Sequence, residues 1–470
     1  MFYFTQRLKF MQIIHRIIPL ILLGTAALFQ VPSQAQSKDP GPKPLRFNPN
    51  VPPMLSGVVP SDANLFPVAL QSFLQFHSVD GKLVGPTGIQ FPGVGLGPRF
   101  NHFDCASCHR VPFAGGASYS VNSQALLAGT IGTDYGNQAP GQIAPPFLKN
   151  AGPTLAARLK YKPDGSRDGS VHQIWTISGR PDAPGCIIPQ TDWNAELAKN
   201  NVAVRITTPT LGAGLIEAIS DAAIIAGKNS NLSKKIALGI QGHENRNTVD
   251  GSISKFGWKA QTRTLRQFSA DAFLNEMGIT NDTFINENDP TPACNFHAGL
   301  EDTPVATPNG PMLRTDLVTH FMRFLAPPAP VAATASTTNG QALFNSIGCA
   351  ACHATSFTTP LNATPTVLAN KQVMLYSDLL VHRMGPGLAD DIIQGQAGPD
   401  EFRTAPLWGL SQRFYLLHDG RTADLKVAIA AHASEASGAL PASEANAVIG
   451  KWNGLIESQK QDVLNFLRSL

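Results

Sequence analysis

Residues 100–109 read FNHFDCASCH, and residues 344–353 read FNSIGCAACH. Both stretches contain Cys-x-x-Cys-His, the spacing at which two thiols can form thioethers to the two vinyl groups of one haem while the next imidazole binds its iron. We therefore predict two covalently bound haem c groups. The predicted cofactor-binding residues are Cys105, Cys108, His109, Cys349, Cys352 and His353, with the two histidines as iron ligands.

A Cys-x-x-Cys pair also occurs in redox-active sites and in zinc sites. A thioredoxin-like site does not require the following His, and a zinc site would need its Cys and His residues in another grouping than two complete haem motifs. Each copy is also preceded by Phe-Asn, with three residues between this pair and the first Cys. This second similarity indicates two related haem-bearing units in one chain.

The clearest linker is the Pro-, Ala- and Thr-rich stretch 326–338, which reads APPAPVAATASTT. It separates a first haem c domain, residues 36–325, from a second cytochrome c domain, residues 339–470. The first domain is too long for a minimal haem domain, so we expect a large, loop-rich insertion after His109. Helices are predicted over residues 61–76, 211–225, 265–277, 314–325, 340–346 and 458–470, and a short strand over 171–177. The expected fold is mainly α, with two cytochrome c-like haem domains.

The first 35 residues have the pattern of a secretory signal peptide. Arg7, Lys9 and Arg16 precede or border an apolar run over residues 17–29, and small residues at positions 33 and 35 suit a signal peptidase. The alternative is an uncleaved membrane anchor, for which the apolar run is short. We expect an exported protein, periplasmic or secreted, without a stable membrane span after cleavage. Export agrees with haem c, which is attached outside the bacterial cytoplasm.

The charge balance of the chain bears on its partners, and its cysteine content bears on its compartment. Without the three basic residues of the predicted signal, the chain has 33 basic and 33 acidic residues. This neutral balance gives no support for nucleic-acid binding. The haem motifs use four of the six cysteines, which leaves Cys186 and Cys294. A disulfide between them is the simplest expectation in an oxidising compartment, and free or reactive thiols are the alternatives.

Further motifs give the chain a family resemblance. They are GLGPRFN at 95–101, FGWKA at 256–260, FLNEMGIT at 273–280, YSDLL at 376–380, MGPGLAD at 384–390, FRTAPLWGL at 402–410 and HDGR at 418–421. With these motifs, the sequence resembles the di-haem oxidoreductases of the putative peroxidase family, sometimes labelled thiol oxidoreductase-like. That family is distantly similar to bacterial di-haem cytochrome c peroxidases. The resemblance covers nearly all of the chain after the predicted signal.

The resemblance implies catalytic roles for Trp258, Gln267 and Glu276. In the peroxidase relatives, a Trp lies between the haems, and a Gln and a Glu line the distal side of the first haem. The separation between Gln267 and Glu276 is about one residue shorter than in the peroxidase pattern. A carboxylate in a haem pocket can also take a proton from one peroxide oxygen and deliver it to the other. Ordinary structural roles remain open: a core aromatic for Trp258, a polar helix residue for Gln267 and a solvated charge for Glu276.

The sixth iron ligand decides whether a haem transfers electrons or binds a small oxidant. Met384 is the leading candidate for the second haem, with Met374, His418 and His432 as competitors. For the first haem, the candidates His172, His243, His297 and His320 each suit a structural or exposed position better. No His lies between His109 and His172. We therefore expect an open iron at the first haem.

Two arginines stand in similar local sequences. Arg205 begins RITTPTLG, and Arg403 begins RTAPLWG. A guanidinium can hold a haem propionate through two parallel hydrogen bonds, so both arginines are predicted to bind cofactor. An ordinary salt bridge is the alternative at each position.

Together, these patterns favour a periplasmic di-haem oxidoreductase of the peroxidase type. Electrons from a small redox protein or another donor would enter at the second haem, and hydrogen peroxide or another small oxidant would be reduced at the first. One alternative is an electron-transfer cytochrome without peroxidase activity. Another is a di-haem oxidase acting on an organic, protein or iron substrate. A bridging calcium ion is compatible with the sequence but is not indicated by it.

Overall fold

The computed structural model describes residues 36–43, 52–85, 88–130 and 142–470. The predicted signal peptide lies outside the described residues. Helices contribute more residues than strands to the described chain, whose strands are two to five residues long, but most described residues lie in turns and loops. Within these residues, no helix combines the length and the hydropathy that a membrane crossing requires.

Twelve α-helices are found in the described residues. They are α1 (Pro60–Leu74), α2 (Ser123–Thr130), α3 (Trp193–Ala198), α4 (Ala213–Ala218), α5 (Asp221–Asn229), α6 (Leu232–Ala237), α7 (Leu265–Met277), α8 (Arg314–Phe324), α9 (Ala335–Ile347), α10 (Leu425–Ala430), α11 (Asn446–Asn453) and α12 (Glu457–Leu467).

The strands form small antiparallel sheets. They are β1 (Leu83–Val84), β2 (Gln90–Phe91), β3 (Arg99–Phe100), β4 (Leu155–Leu159), β5 (Val171–His172), β6 (Trp175–Thr176), β7 (Val202–Ile206), β8 (Phe357–Thr358), β9 (Gln372–Val373), β10 (Val381–Arg383) and β11 (Glu401–Arg403). The largest described sheet has the order β5-β4-β7, and the others are the pairs β1-β2, β3-β6, β8-β9 and β10-β11. In the register of β4 and β7, Ala156 pairs with Arg205 and Arg158 pairs with Ala203.

Two cores hold the haem motifs. In the larger core, α1 packs against α8, and the ring of Phe73 lies 4.8 Å from that of Phe321 and 5.9 Å from that of His109. In the smaller core, α9 crosses α12 so closely that a Cβ on Gly340 would lie 2.0 Å from the carbonyl oxygen of Asp462. The ring of Phe344 contacts Phe466 at this crossing. Each motif thus lies in a core formed by one helix that precedes it and one helix that follows it in sequence.

The predicted helices are present, with differences at their ends. The predicted helix 211–225 is two helices, α4 and α5, because the Ser220 hydroxyl accepts a hydrogen bond from the Ala223 N–H and starts a new helix. The predicted linker is also shorter than residues 326–338. Thr334 caps α9 by accepting a hydrogen bond from the Thr337 N–H, so the helix begins at Ala335. The predicted strand 171–177 is two short strands, β5 and β6.

The Phe-Asn pairs before the two haem motifs differ in structure. Phe100 belongs to strand β3, whereas Phe344 and Asn345 lie within helix α9. The Asn101 side chain bonds to the Ile174 N–H, but Asn345 is contacted through its backbone carbonyl by Lys234. The shared dipeptide is therefore not a shared structural element.

The predicted disulfide between Cys186 and Cys294 is confirmed. Both residues are buried, and the bond joins segments that are 108 residues apart. It ties the loop after α7 to the loop after β6. The alternatives of free or reactive thiols are excluded for this pair.

Two candidate haem cavities

The second haem motif lines a cavity of about 230 Å³. Cys349, Cys352 and His353 are in its wall, together with Met384 and Arg403. Helices α10, α11 and α12 each supply apolar residues to the same wall. The cavity therefore brings one complete Cys-x-x-Cys-His motif together with the leading candidate for a sixth ligand.

The imidazole of His353 is oriented by the protein. Its Nδ1 lies 3.0 Å from the carbonyl oxygen of Tyr376, a contact in which the ring nitrogen donates. Burial lowers the pKa of His353 to about 4, so the ring is neutral at physiological pH. A neutral imidazole whose Nδ1 donates to a carbonyl presents Nε2 as a metal ligand.

The structure separates the candidates for the sixth ligand of the second haem. Met384 lines the cavity, and so do His418 and His432. His432 is bonded through Nδ1 to the Ala428 carbonyl at 2.7 Å, and the His418 ring stacks on Phe402. Met374 is absent from the cavity wall, with 41% of its surface exposed. Met374 is therefore not placed to bind this haem. Met384, His418 and His432 all remain candidates for the sixth ligand, since the Nδ1 contact of His432 does not engage its Nε2.

The first haem motif lines a separate cavity of about 160 Å³. Cys105, Cys108 and His109 are in its wall, and Glu276 and Trp258 border the same space. Among the described histidines, only His102 and His109 line this cavity. The four histidines considered from the sequence lie elsewhere.

Glu276 reaches the first cavity because two glycines let the chain pack closely against the end of α7. Gly278 ends the helix with φ of 70°, and a Cβ on Gly97 would lie 2.1 Å from its carbonyl oxygen. This contact places Asn101 beside the last turn of α7. Its side-chain amide donates to Oε2 of Glu276 at 2.8 Å, and its backbone N–H donates to the Glu276 carbonyl at 2.7 Å. Burial raises the pKa of the Glu276 carboxyl.

Gln267 does not line this cavity, contrary to the expectation that it lies on the distal side of the first haem. Gln267 and Glu276 are nine positions apart on α7, about two and a half turns, so their side chains lie on opposite faces of the helix. Gln261, in the loop before the helix, lines the cavity instead. It directly follows the FGWKA motif, the one sequence signal that could have found it.

Trp258 lies between the two motifs. Its side chain lines both the first and the second cavity, and its indole N–H donates to the carbonyl of Ile206 at 2.9 Å. Ile206 and Thr207 also border both spaces. The segment around Trp258 is therefore a thin shared wall between the two cavities.

Comparison with known proteins identifies the family of the chain. A model of the family described as "Di-haem oxidoreductase, putative peroxidase" matches residues 158–470. The chain belongs to this di-haem oxidoreductase family. It is accordingly an oxidoreductase of the di-haem peroxidase type, and its family implies haem as the cofactor. No curated protein sequence matches the chain.

Solved structures show weaker similarity to this di-haem oxidoreductase. A MauG-like protein associated with microbial copper homeostasis has 14% identity and a TM-score of 0.29, over 56% of this chain and 89% of that one. The diheme peroxidase BthA from Burkholderia thailandensis E264 has 12% identity and a TM-score of 0.27, over 46% and 65%. Hydrazine synthase from Kuenenia stuttgartiensis has 17% identity and a TM-score of 0.23, over 34% of this chain and 57% of that one. The family assignment rests on the family match alone.

The residues of both cavities fit haem. The four motif cysteines are free thiols, and each pair borders the same space as its histidine. Burial raises the pKa of Cys349 to about 12, which disfavours the thiolate that a zinc site would need. A buried guanidinium nitrogen, Nη1 of Arg403, has no hydrogen-bond partner in the second cavity. An anionic group such as a haem propionate would satisfy it.

The two arginines predicted to bind propionates differ in this di-haem oxidoreductase. Arg205 lines the first cavity, but its guanidinium is paired with Asp390 and also donates to Gln394. The salt-bridge alternative therefore describes Arg205. Arg403 donates through Nε to the carbonyl of Gly257 and has no carboxylate partner in the described chain. Arg413 lines the second cavity together with Arg403, and its guanidinium donates only to the carbonyls of Pro406 and Trp408. The sequence analysis did not identify Arg413 as a residue of this cavity.

A calcium site is not evident in the structure. Among the described residues, no group of three or more His, Cys, Asp or Glu side chains is arranged to hold a metal ion. The ammonium of Lys259 instead contacts the carbonyls of Gly398 and Glu401 and the carboxylate of Asp390.

Proposed function

We propose that this protein is an exported di-haem c-type peroxidase. Electrons from a small redox protein or another donor enter at the second cavity, and hydrogen peroxide is reduced in the first. Haem bound in the two cavities would supply the one-electron redox chemistry. Reduction of peroxide to two waters takes two electrons and two protons, and two one-electron carriers match that need.

One observation carries the proposal. Trp258 lines both cavities, whereas Glu276 lines only the first. The two cavities therefore share a wall through which electrons can pass. The carboxyl group that lines the second cavity, Glu444, is ion-paired with His382, whereas Glu276 in the first cavity accepts a hydrogen bond from the neutral amide of Asn101 and has no ion pair in the described chain. A plain relay of electrons would not require this difference.

Glu276 is suited to move a proton between the two peroxide oxygens. Burial raises the pKa of its carboxyl, and the amide of Asn101 fixes one of its oxygens. A carboxyl group with a raised pKa both accepts and returns a proton near neutral pH more readily than an exposed one. Asn101 lies four residues before Cys105, so the group that orients Glu276 is anchored to the haem motif itself.

The second cavity is suited to hold electrons. Met384 and His353 line the same space, and thioether ligation opposite an imidazole raises the potential of a haem. A closed iron at this position would exchange electrons without binding peroxide. The periplasm as the place of action follows from the expected signal peptide and from the attachment chemistry of haem c.

The proposal is tested by optical and EPR spectra of the haem-loaded protein, fully oxidised and half reduced, before and after adding hydrogen peroxide. We expect one high-spin haem that reacts within the mixing time and one low-spin haem that is reoxidised afterwards. Glu276→Gln should remove the fast reaction and leave both haem spectra unchanged. Two low-spin haems that do not respond to peroxide in either redox state would contradict the proposal and favour electron transfer alone.

A further inference from the structure

The wall of the first cavity facing α7 is formed by the sheet β5-β4-β7. Ala156, Arg158 and Arg205 line the cavity from this sheet. Ala156 is directly opposite Arg205, and Arg158 is two residues further along β4. Since alternate residues of a strand share one face, the two guanidinium groups are diagonal neighbours on the face that borders the cavity.

The two arginines have different partners. Arg205 is neutralised by Asp390. Arg158 donates through Nη1 to the carbonyl of Gly169 at 2.5 Å, but its Nε is buried and has no hydrogen-bond partner. In the described part of the chain, no carboxylate lies within ion-pairing distance of Arg158. One buried cation in this cavity is therefore paired, and its neighbour is not.

The charge of Arg158 is poorly compensated by its surroundings. Burial, with the nearby charge of Arg205 as a second cause, lowers the pKa of Arg158 to about 10, so the guanidinium still carries its charge at neutral pH. The carboxyl groups of the cavity whose charges act on Arg158 are those of Asp271 and Glu276. Burial raises the pKa of both carboxyls, which weakens their ability to balance Arg158. A buried cation without a partner is costly, so the site favours an anion.

We propose that Arg158 is an anion-binding residue of the first cavity that binds the deprotonated form of peroxide, and small anions of similar size, through Nε. This role rests on the proposed function, because it needs an iron in that cavity with a free coordination position. A fixed cation beside the reacting oxygen atoms stabilises negative charge on the departing oxygen until it is protonated. Glu276 would move the proton, and Arg158 would hold the charge.

Fluoride binding to the oxidised, haem-loaded protein tests this role without peroxide turnover. Fluoride binds a high-spin ferric haem and changes its absorption spectrum, so its dissociation constant can be measured by titration. We expect Arg158→Gln to weaken fluoride binding roughly 10- to 100-fold, the effect of losing one charge-assisted hydrogen bond. Arg158→Lys keeps the charge but lacks Nε. Its fluoride dissociation constant should lie between those of Arg158→Gln and the wild type.

Arg167→Gln is the matched control, because Arg167 is an exposed arginine that contacts Tyr161 and the Asp391 carbonyl outside the cavity. Its fluoride affinity should equal that of the wild type. An Arg158→Gln protein that loads both haems and binds fluoride as tightly as the wild type would overturn the role of Arg158, and a shifted potential of the first haem would then assign Arg158 to a propionate. A wild-type protein that binds no fluoride at either haem would instead contradict the open iron of the proposed function.

Discussion

The side-chain amide of Asn101 donates to the carboxyl of Glu276 at 2.8 Å, and this bond joins the first haem motif to the far wall of its cavity. The two residues are 175 positions apart in sequence. Any displacement of the motif is therefore passed directly to the carboxyl group. The position of Glu276 depends on the turn that carries Cys105 as much as on helix α7.

Glu276→Gln should slow peroxide reduction by about 10²- to 10⁴-fold, the usual contribution of a general acid–base group. The amide keeps the shape of the side chain but cannot accept and return a proton. Steady-state peroxide consumption with a reduced donor measures the effect, and haem content is the check on folding. Glu435→Gln, at an exposed position, is the control. Equal rates of peroxide consumption for Glu276→Gln and Glu435→Gln would show that Glu276 takes no part in the reaction.

Trp258→Phe should slow the reoxidation of the second haem by peroxide while both haem spectra stay unchanged. The substitution keeps an aromatic ring but removes the hydrogen bond to the Ile206 carbonyl, at a cost of about 1 kcal/mol in stability. Stopped-flow absorption of the half-reduced protein follows the reoxidation. Trp193→Phe is the control, since Trp193 packs on Phe147 away from both cavities. The shared wall has no role in electron transfer if the two variants react alike.

Met384→Ala should lower the midpoint potential of the second haem by on the order of 100 mV, because a thioether ligand stabilises the reduced iron. Redox titration followed by absorption measures the potential. Met374→Ala should leave it unchanged, since Met374 is absent from the cavity wall. A potential that moves in Met374→Ala but stays constant in Met384→Ala would reverse the assignment.

Replacing Cys186 and Cys294 by Ala should lower the free energy of unfolding by roughly 2–5 kcal/mol. The bond closes a long loop, and its loss frees the unfolded chain. Denaturant unfolding of the haem-loaded protein measures the difference. A reducing agent should lower the free energy of unfolding of the wild type toward that of the variant, and it should leave that of the variant unchanged. Identical unfolding of the two proteins would show that packing alone holds these loops.

Glu287→Gln should become more stable relative to the wild type as pH rises from 5 to 9. Burial, with the adjacent Glu301 as a second cause, raises the pKa of Glu287 to about 9. Above its ordinary pKa, the carboxyl is ionised in the unfolded chain but stays protonated in the native protein, so rising pH favours unfolding of the wild type. Denaturation midpoints at several pH values test this. A constant difference between the two proteins would contradict the raised pKa.

The sequence predicted the parts of this protein that depend on local patterns. Helix α7 begins at Leu265 and ends at Met277, as predicted, because Thr264 caps its start and Gly278 adopts the left-handed conformation at its end. The two Cys-x-x-Cys-His motifs could be recognised because covalent attachment of a haem requires this spacing of its residues. The disulfide followed from the two cysteines that the motifs leave over.

The parts that the sequence did not predict depend on contacts between distant segments. The order of residues in the chain predicts Gln267 on the distal side of the first haem, but Gln267 and Glu276 lie on opposite faces of α7, and Gln261 lines the cavity instead. Arg158 and Arg205 meet only through the register of β4 and β7. The sequence also gave no sign that Asp390 would neutralise Arg205, since 185 residues separate them.

The segment around Trp258 limits where the chain could be divided into fragments that fold independently. The Arg403 N–H donates to the Trp258 carbonyl, and the fully buried ammonium of Lys259 contacts Gly398, Glu401 and Asp390, all on the far side of the linker. A fragment that stopped at the linker would retain the lysine without these acceptors. The parts of the chain before and after the linker are therefore not exchangeable modules. Recombination that replaced the second part would have to preserve the acceptors of Lys259 for the first part to fold.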